Sequence, residues 1–236
     1  MYANKKVIVV LPAYNAAKTL AKTVAALPNL VDEIILVDDA SYDDTAEIAR
    51  RLGLFVYRHQ KNSGYGANQK SCYRLALEKG ADIVVMVHPD YQYDPRLVSY
   101  FASFIGDDYF DVMLGSRVRS RQETLAGGMP LYKYYSNRFL TFVENLATGQ
   151  NLSEWHTGMR AYSAAVLRSL QLEKTSNDFV FDTQVLLQIA ARKWRIGEIP
   201  VPVRYFPEAS SINWRRSLKY GLQTLMLALK YTIRKP

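Results

Sequence analysis

Residues 33–52 read EIILVDDASYDDTAEIARRL, and this stretch decides the fold. Glu33-Ile34-Ile35-Leu36-Val37 is a short β-branched run of the kind that makes a buried strand. Ser41 and Asp44 follow with the spacing of a helix-start capping box, ahead of Ala46, Ile48, Ala49 and Leu52 on a helical period. The unit is strand, loop, helix.

The same unit stands on either side. Val7 to Leu11 is an apolar run that stops at Pro12, with Leu20, Val24 and Leu27 at helical spacing behind it. Leu54-Phe55-Val56-Tyr57 leads through the loop Asn62-Ser63-Gly64-Tyr65-Gly66 into a helix over 68–78. Ile83 to Val87 leads to Asp94 and Pro95, an N-cap and first helical position, and on through Leu97, Val98 and Phe101. Four alternations in a row predict an α/β fold with a central, mostly parallel sheet flanked by helices. From about Asp111 the rhythm loosens into a short strand at 112–114, a polar loop from Ser116 to Pro130 and a helix near 131–146, which predicts a mixed C-terminal half.

A chain of 236 residues, 49% hydrophobic, has enough apolar surface for one full core, and a single domain over 1–236 is expected. The lone Cys72 cannot form an internal bridge and the first residues lack a signal-peptide pattern, from which a cytoplasmic location is expected. The formal charge of +8 favours an anionic partner. Basic residues do not interleave with an aromatic readout motif, and no helix-turn-helix or zinc spacing occurs, so no nucleic-acid partner is expected. Over about 213–236, Arg215, Arg216, Lys219, Lys230, Arg234 and Lys235 alternate with Leu218, Leu222, Leu225, Met226 and Leu229, the pattern of an amphipathic C-terminal helix lying on a membrane face. Gln223 and Lys230 interrupt its apolar run well short of the roughly 20 residues that span a bilayer.

Ligands of such sheets bind outside the carboxyl ends of the strands, here the loops at Pro12, Asp38, Arg58 and His88. Those loops read Leu11-Pro12-Ala13-Tyr14-Asn15, Val37-Asp38-Asp39-Ala40-Ser41, Asn62-Ser63-Gly64-Tyr65-Gly66-Ala67 and His88-Pro89-Asp90-Tyr91-Gln92. With Gly115-Ser116-Arg117, His156-Thr157-Gly158-Met159-Arg160-Ala161-Tyr162 and Phe181-Asp182-Thr183-Gln184 they resemble, in order, the motifs of the family 2 glycosyltransferases of GT-A (Rossmann-like) fold. The later three resemble the polyprenyl- and dolichyl-phosphate sugar synthase branch. The resemblance implies a nucleotide-sugar-binding half over about 1–110 and an acceptor-binding half over about 111–212.

It further implies a metal-dependent, inverting sugar transfer from a UDP- or GDP-sugar to a lipid phosphate acceptor, a role in cell-envelope glycan synthesis at the inner face of the membrane. Pro12, Tyr14, Asn15, Asp38, Asp39, Gly64 and Arg204 would bind the nucleotide sugar. Of the acidic pair Asp38 is favoured, since Asp39 has the alternative of capping the next helix. Gly64 permits a tight turn before a helix N-terminus, which suits either a phosphate or a bare connection. Arg117, Lys133, Ser136 and Arg160 would take the acceptor phosphate, arginine by forked contacts.

In an extended segment His88, Asp90 and Gln92 face one way, the arrangement of ligands for Mn2+ or Mg2+. Relatives carry Asp where this chain has His88, and imidazole suits manganese better than magnesium. Asp90, Arg117 and Asp182 are the catalytic candidates. Asp182 is either a base for a hydroxyl acceptor or a helix-orienting residue, whereas an ionised lipid phosphate needs no base. The other readings weighed are a transferase to a saccharide hydroxyl and a non-catalytic nucleotide-sugar-binding module.

Overall fold

The computed structural model of the protein describes residues 1–118, 120–203 and 214–233. β1 (Val7–Ala13), α1 (Leu20–Ala25), β2 (Glu33–Asp38), α2 (Thr45–Arg51), β3 (Phe55–Arg58), α3 (Tyr65–Glu78) and β4 (Ile83–Met86) make the alternating half. A short 3-10 turn, Pro95–Leu97, opens α4 (Val98–Gly106), and β5 (Val112–Ser116), α5 (Arg121–Ala126) and α6 (Leu131–Thr148) follow. The chain continues through β6 (Arg160–Ser163), α7 (Ala164–Ser169), α8 (Phe181–Ala191), β7 (Ile196–Pro200) and α9 (Trp214–Ile233).

The strands form one sheet in the order β3-β2-β1-β4-β6-β5-β7. Every pairing is parallel except those of β6, which runs antiparallel to β4 and β5. This is the α/β, mostly parallel sheet with a mixed second half that the sequence predicts. Pleat alternation sends Ile8 and Val10 to one face and Val7, Val9 and Leu11 to the other. The first face is covered by α3, α7 and α8 through Tyr73, Val166 and Phe181, and the second by α1, α2 and α4 through Leu20, Ala49 and Phe101.

Three local readings are corrected. β1 does not stop at Pro12 but runs to Ala13, paired Pro12 to Val37 and Ala13 to Asp38. The Val10 carbonyl accepts from the Val87 amide, so two residues on, the Pro12 nitrogen points to the β4 side, where the ladder with β4 ends at Met86 and no donor is missed. The Ser41–Asp44 capping box does not form. Ser41 donates its hydroxyl to Asp38, and the Thr45 amide is satisfied by Asp43 at 3.1 Å. The polar loop over 116–130 contains α5, whose first turn is closed by Ser120 accepting from the Glu123 amide at 3.1 Å. Its Ser120-x-x-Glu123 signature stood in the sequence.

On the second face the fully buried Phe101 lies so close to Gly115 that a Cβ there would sit 3.1 Å from the ring. Phe101→Ala therefore opens a cavity between α4 and β5 and is expected to lower the unfolding free energy by about 3–5 kcal/mol. Urea unfolding should show a lower midpoint at unchanged slope; a shift worth under about 1 kcal/mol would contradict a core role.

Candidate active site

β1, β2 and β4 end at the rim of a cavity of about 1560 Å³ whose other walls come from the start of α3, the loops at 154–158 and 176–179, α6 and α9. Three non-glycine residues at these strand ends, Asn15, Ala40 and Tyr91, hold positive φ of 53°, 59° and 58°. Such backbone is uncommon and persists where surroundings over-determine it. At Asn15 hydrogen bonds do so: it donates its amide to Ser41 Oγ at 2.8 Å and its side-chain oxygen accepts from the Tyr42 amide at 2.9 Å.

At the β2 end, adjacent carboxylates part company because successive residues of a strand face opposite ways. Asp39 lines the cavity, accepting from the Ser63 amide at 2.8 Å and the Gly64 amide at 3.0 Å, with His59 Nδ1 at 2.6 Å. Asp38, which the sequence reading favoured, is fully buried and absent from the cavity wall. It accepts from the Ser41 amide at 3.1 Å and pairs with Arg58 Nε at 3.1 Å, so it braces the loop from beneath. Pro12, Tyr14 and Asn15 line the same end. Gly64 does too, at φ +98°, and a Cβ on it would meet the Asn177 carbonyl oxygen at 2.6 Å, so the glycine is required by the close passage of the 176–179 loop. Arg204 lies outside the described residues.

His88, Asp90 and Gln92 all line the cavity, but not as an extended row. β4 ends at Met86, residues 89–92 turn through the left-handed Tyr91, and Asp90 Oδ1 accepts from the Gln92 amide at 3.0 Å. The alternation argument is thus replaced by a turn that gathers the three. His88 is stacked on Tyr65 with ring centres 5.7 Å apart, and burial holds its imidazole below the usual pKa, in the neutral form that can donate a lone pair. The buried Gln92 Nε2 has no hydrogen-bond partner, an orphaned amide end that seats an oxygen acceptor as placed and turns Oε1 inward when rotated.

Among the described residues no three His, Cys, Asp or Glu side chains gather around one point. A carboxylate with one or two neutral donors fits a hard cation that takes its other ligands from substrate phosphates and water.

Opposite this turn stand Arg117, Lys133 and Ser136. The Arg117 guanidinium is committed to the fully buried Glu154, through Nε at 2.8 Å and through a second, shorter contact, and donates to the His156 carbonyl at 2.7 Å. Burial acts to raise the Glu154 carboxyl, but the charge and hydrogen bonds of Arg117, with the Asn137 amide, bring it below its ordinary pKa. Lys133 is half-buried, and burial followed by repulsion from Arg117 lowers its ammonium.

Arg160 is not on the cavity wall. It is fully buried on β6, donating to the carbonyls of Thr157 at 2.9 Å and Trp155 at 3.0 Å and pairing with Asp182 at 3.5 Å. Asp182 reaches the cavity from the first turn of α8 and also accepts from Tyr65 at 2.8 Å and Gln69 at 3.2 Å.

A group that the sequence reading missed joins α6 to α9. Buried Glu144 lies 3.1 Å from His156 Nε2, whose Nδ1 is 2.6 Å from the Tyr220 hydroxyl at the cavity edge. The helical period of α6 groups its apolar stripe and gives no sign that Glu144 is interior, and the 64 positions from His156 to Tyr220 leave no local signal of their meeting.

A family model described as Glycosyl transferase family 2 matches residues 8–171. The UDP-N-acetylglucosamine–dolichyl-phosphate N-acetylglucosaminyltransferase of Methanococcus voltae is 28% identical over 96% of this chain and 98% of its own length. The undecaprenyl-phosphate mannosyltransferase of Micrococcus luteus is 26% identical over 83% of this chain and 82% of its own. Among solved structures, glucosyl-3-phosphoglycerate synthase of Mycobacterium tuberculosis, crystallised with Mn2+, UDP-glucose and phosphoglyceric acid, superposes with a TM-score of 0.74 at 20% identity, over 98% of this chain and 80% of that one. The fold is GT-A.

The Arg160–Asp182 pair is buried, so removing one partner strands the other charge. Arg160→Met is expected to cost about 3–5 kcal/mol, and adding Asp182→Asn should return part of that loss. Thermal or urea unfolding of the two variants measures it; an Arg160→Met protein of unchanged stability that fails only in acceptor use would move Arg160 to the cavity wall.

Proposed function

The chain belongs to glycosyl transferase family 2, and from that membership we propose that it transfers a sugar, with inversion, from a UDP- or GDP-sugar to a polyprenyl-phosphate-type acceptor. One observation carries the reading. A single cavity runs from a polar end at Tyr14, Asn15 and Asp39 to an end where Lys133 and Ser136 stand beside Phe139, Leu140, Leu218 and Leu222. The second end suits an acceptor that is at once anionic and apolar, and the two curated relatives named above are transferases to dolichyl and undecaprenyl phosphate.

On this reading Asp39 orders the 62–64 loop and faces the nucleoside, while Pro12, Tyr14 and Asn15 close over it. Mn2+ or Mg2+ held at Asp90, with His88 and Gln92 beside it, would supply charge neutralisation of the leaving diphosphate. Lys133 and Ser136 hold the acceptor phosphate, and Arg117, fixed by Glu154, sets the positive field there. An ionised phosphate oxygen attacks the anomeric carbon, the bond from that carbon to the diphosphate breaks, and the nucleoside diphosphate departs with the electron pair. No proton has to be removed from a phosphate near neutral pH. That agrees with Asp182 being engaged by Arg160, Tyr65 and Gln69 rather than poised as a base.

Product analysis with a panel of UDP- and GDP-sugars, each offered a polyprenyl monophosphate or an oligosaccharide, tests the reading. Transfer to the lipid phosphate is expected; transfer to sugar hydroxyls alone, or donor binding without turnover in either metal, would overturn it. Lys133→Ala is expected to raise KM for the phosphate acceptor by roughly tenfold, the loss of one charge-assisted hydrogen bond, with donor KM little changed. Asp90→Asn should remove most activity in manganese and magnesium alike; near-normal turnover would exclude the cation site.

A further inference from the structure

Asp39 meets more donors than a nucleoside contact alone requires. Its Oδ1 accepts from His59 Nδ1 at 2.6 Å and from the Ser63 amide at 2.8 Å, and its Oδ2 accepts from the Gly64 amide at 3.0 Å. A carboxylate offers about two acceptor sites on each oxygen, roughly four in all. Oδ1 is therefore full, and Oδ2 keeps one site. Asp39 is 3% exposed and lines the cavity, so that remaining site is what it has for a ligand.

His59 holds the count at that value. Its Nδ1 faces a group that only accepts, which assigns the ring hydrogen to it, and its Nε2 lies 2.9 Å from the hydroxyl of Ser71 on α3. Clamped at both nitrogens, between the end of β3 and α3, the ring is kept from turning away from Asp39. The carbonyl of Ala13 on the same wall is taken as well, by the Asp39 amide at 2.9 Å and by Asn68 Nδ2 at 3.2 Å. Asn15 spends its side-chain oxygen on the Tyr42 amide, which leaves its NH2 as the group it offers a base.

The nucleobases differ in what they ask of such a site. Cytosine and adenine set a ring-nitrogen lone pair where the carboxylate stands, and the two repel. Guanine presents two adjacent donors, its ring N–H and its exocyclic NH2, a fork that needs a free site on each carboxylate oxygen. Oδ1 has none. Uracil and thymine present a single imide N–H between two carbonyls, which matches one acceptor site with a donor such as Asn15 beside it.

We infer that the donor nucleotide carries an imide base, uracil or thymine, rather than guanine, and that His59 is the positioning residue that sets this choice. The inference rests on the proposed nucleotide-sugar reading, in which Asp39 faces the nucleoside, and it selects among donors which that reading leaves open. Discrimination of this kind is steep, because a base donor that displaces none of the amides goes unpaired.

Calorimetric titration of the full chain with UDP, dTDP, GDP, CDP and ADP, in manganese and in magnesium, tests the choice without acceptor or turnover. UDP, dTDP or both should bind about tenfold or more tighter than GDP, the worth of one charge-assisted hydrogen bond, and the two imide arms show which pyrimidine is taken. His59→Phe removes the donor, releases the carboxylate to turn and frees a site on Oδ1. The preference over GDP should then fall about fivefold or more, with GDP itself binding more tightly, a gain that a merely structural role would not give. His59→Asn, whose NH2 takes the place of Nδ1–H, should restore the parental ratio.

GDP, CDP or ADP binding as tightly as the imide nucleotides, or equal losses for all five in a folded His59→Phe protein, would overturn the inference and leave the sugar-transfer reading standing. A chain that binds none of the five in either metal would overturn the proposed function, and the base choice with it.

Discussion

The buried ion pair between Arg160 and Asp182 is the constraint from which the cavity is built. Arg160 enters on β6, the strand that runs against the sheet between β4 and β5, and its guanidinium holds the backbone of the 155–157 loop while its charge fixes the first turn of α8. Asp182 in turn holds Tyr65 and Gln69 of α3. Tyr65 stacks on Phe179 at 4.7 Å and on His88 at 5.7 Å. A charge pair deep in the sheet therefore sets the turn at the end of β4. Such a pair is weak evidence of stability for its own sake, because desolvation opposes its attraction. Its effect is on geometry: three elements far apart in sequence are brought into register around one carboxylate.

The alternating half was legible because each signal in it is local. Strand composition, helical period and the Asp94–Pro95 start all act within a few residues, and the side chain of Asp94 does accept from the Arg96 amide at 3.0 Å. What could not be read was direction. Asp38 and Asp39 are equivalent in sequence, and only the pleat at the end of β2, with Ser41 and Arg58 waiting beneath, decides that Asp39 faces the cavity. The turn at Asp90 failed for a related reason. Pro89 does bias its predecessor toward extended backbone, but the left-handed Tyr91 follows, covered by Lys22 at 4.1 Å from its ring centre, and that contact comes from a helix 69 positions earlier.

Arg160 was misplaced because a guanidinium suits forked contacts with phosphate wherever it stands, whereas burial depends on strand order. Nothing local indicates that β6 inserts between β4 and β5. The same blindness hid the Glu144–His156–Tyr220 contact, which needs α6 and α9 side by side. Conversely, the outward apolar stripe of α6 was visible in its spacing, but periodicity alone assigns such a stripe to the core. Only burial tells that here Asn137, Thr141 and Glu144 lie inward, beside Leu140 and Ala147.

Arg117 and Lys133 show how two cations at one end of a cavity take different parts. Two like charges at one end of a cavity repel each other, so neither sits there without compensation. Glu154 compensates Arg117, holding the guanidinium in a fixed fork against the 154–156 loop. Lys133 is left to bear the cost, and its ammonium is lowered by burial and by Arg117. An anion arriving between them would relieve both influences on Lys133, whereas Arg117 already has its carboxylate. On the proposed reading the arginine gives the acceptor end its shape and field, and the lysine, the less satisfied of the two, gains the more when a phosphate binds.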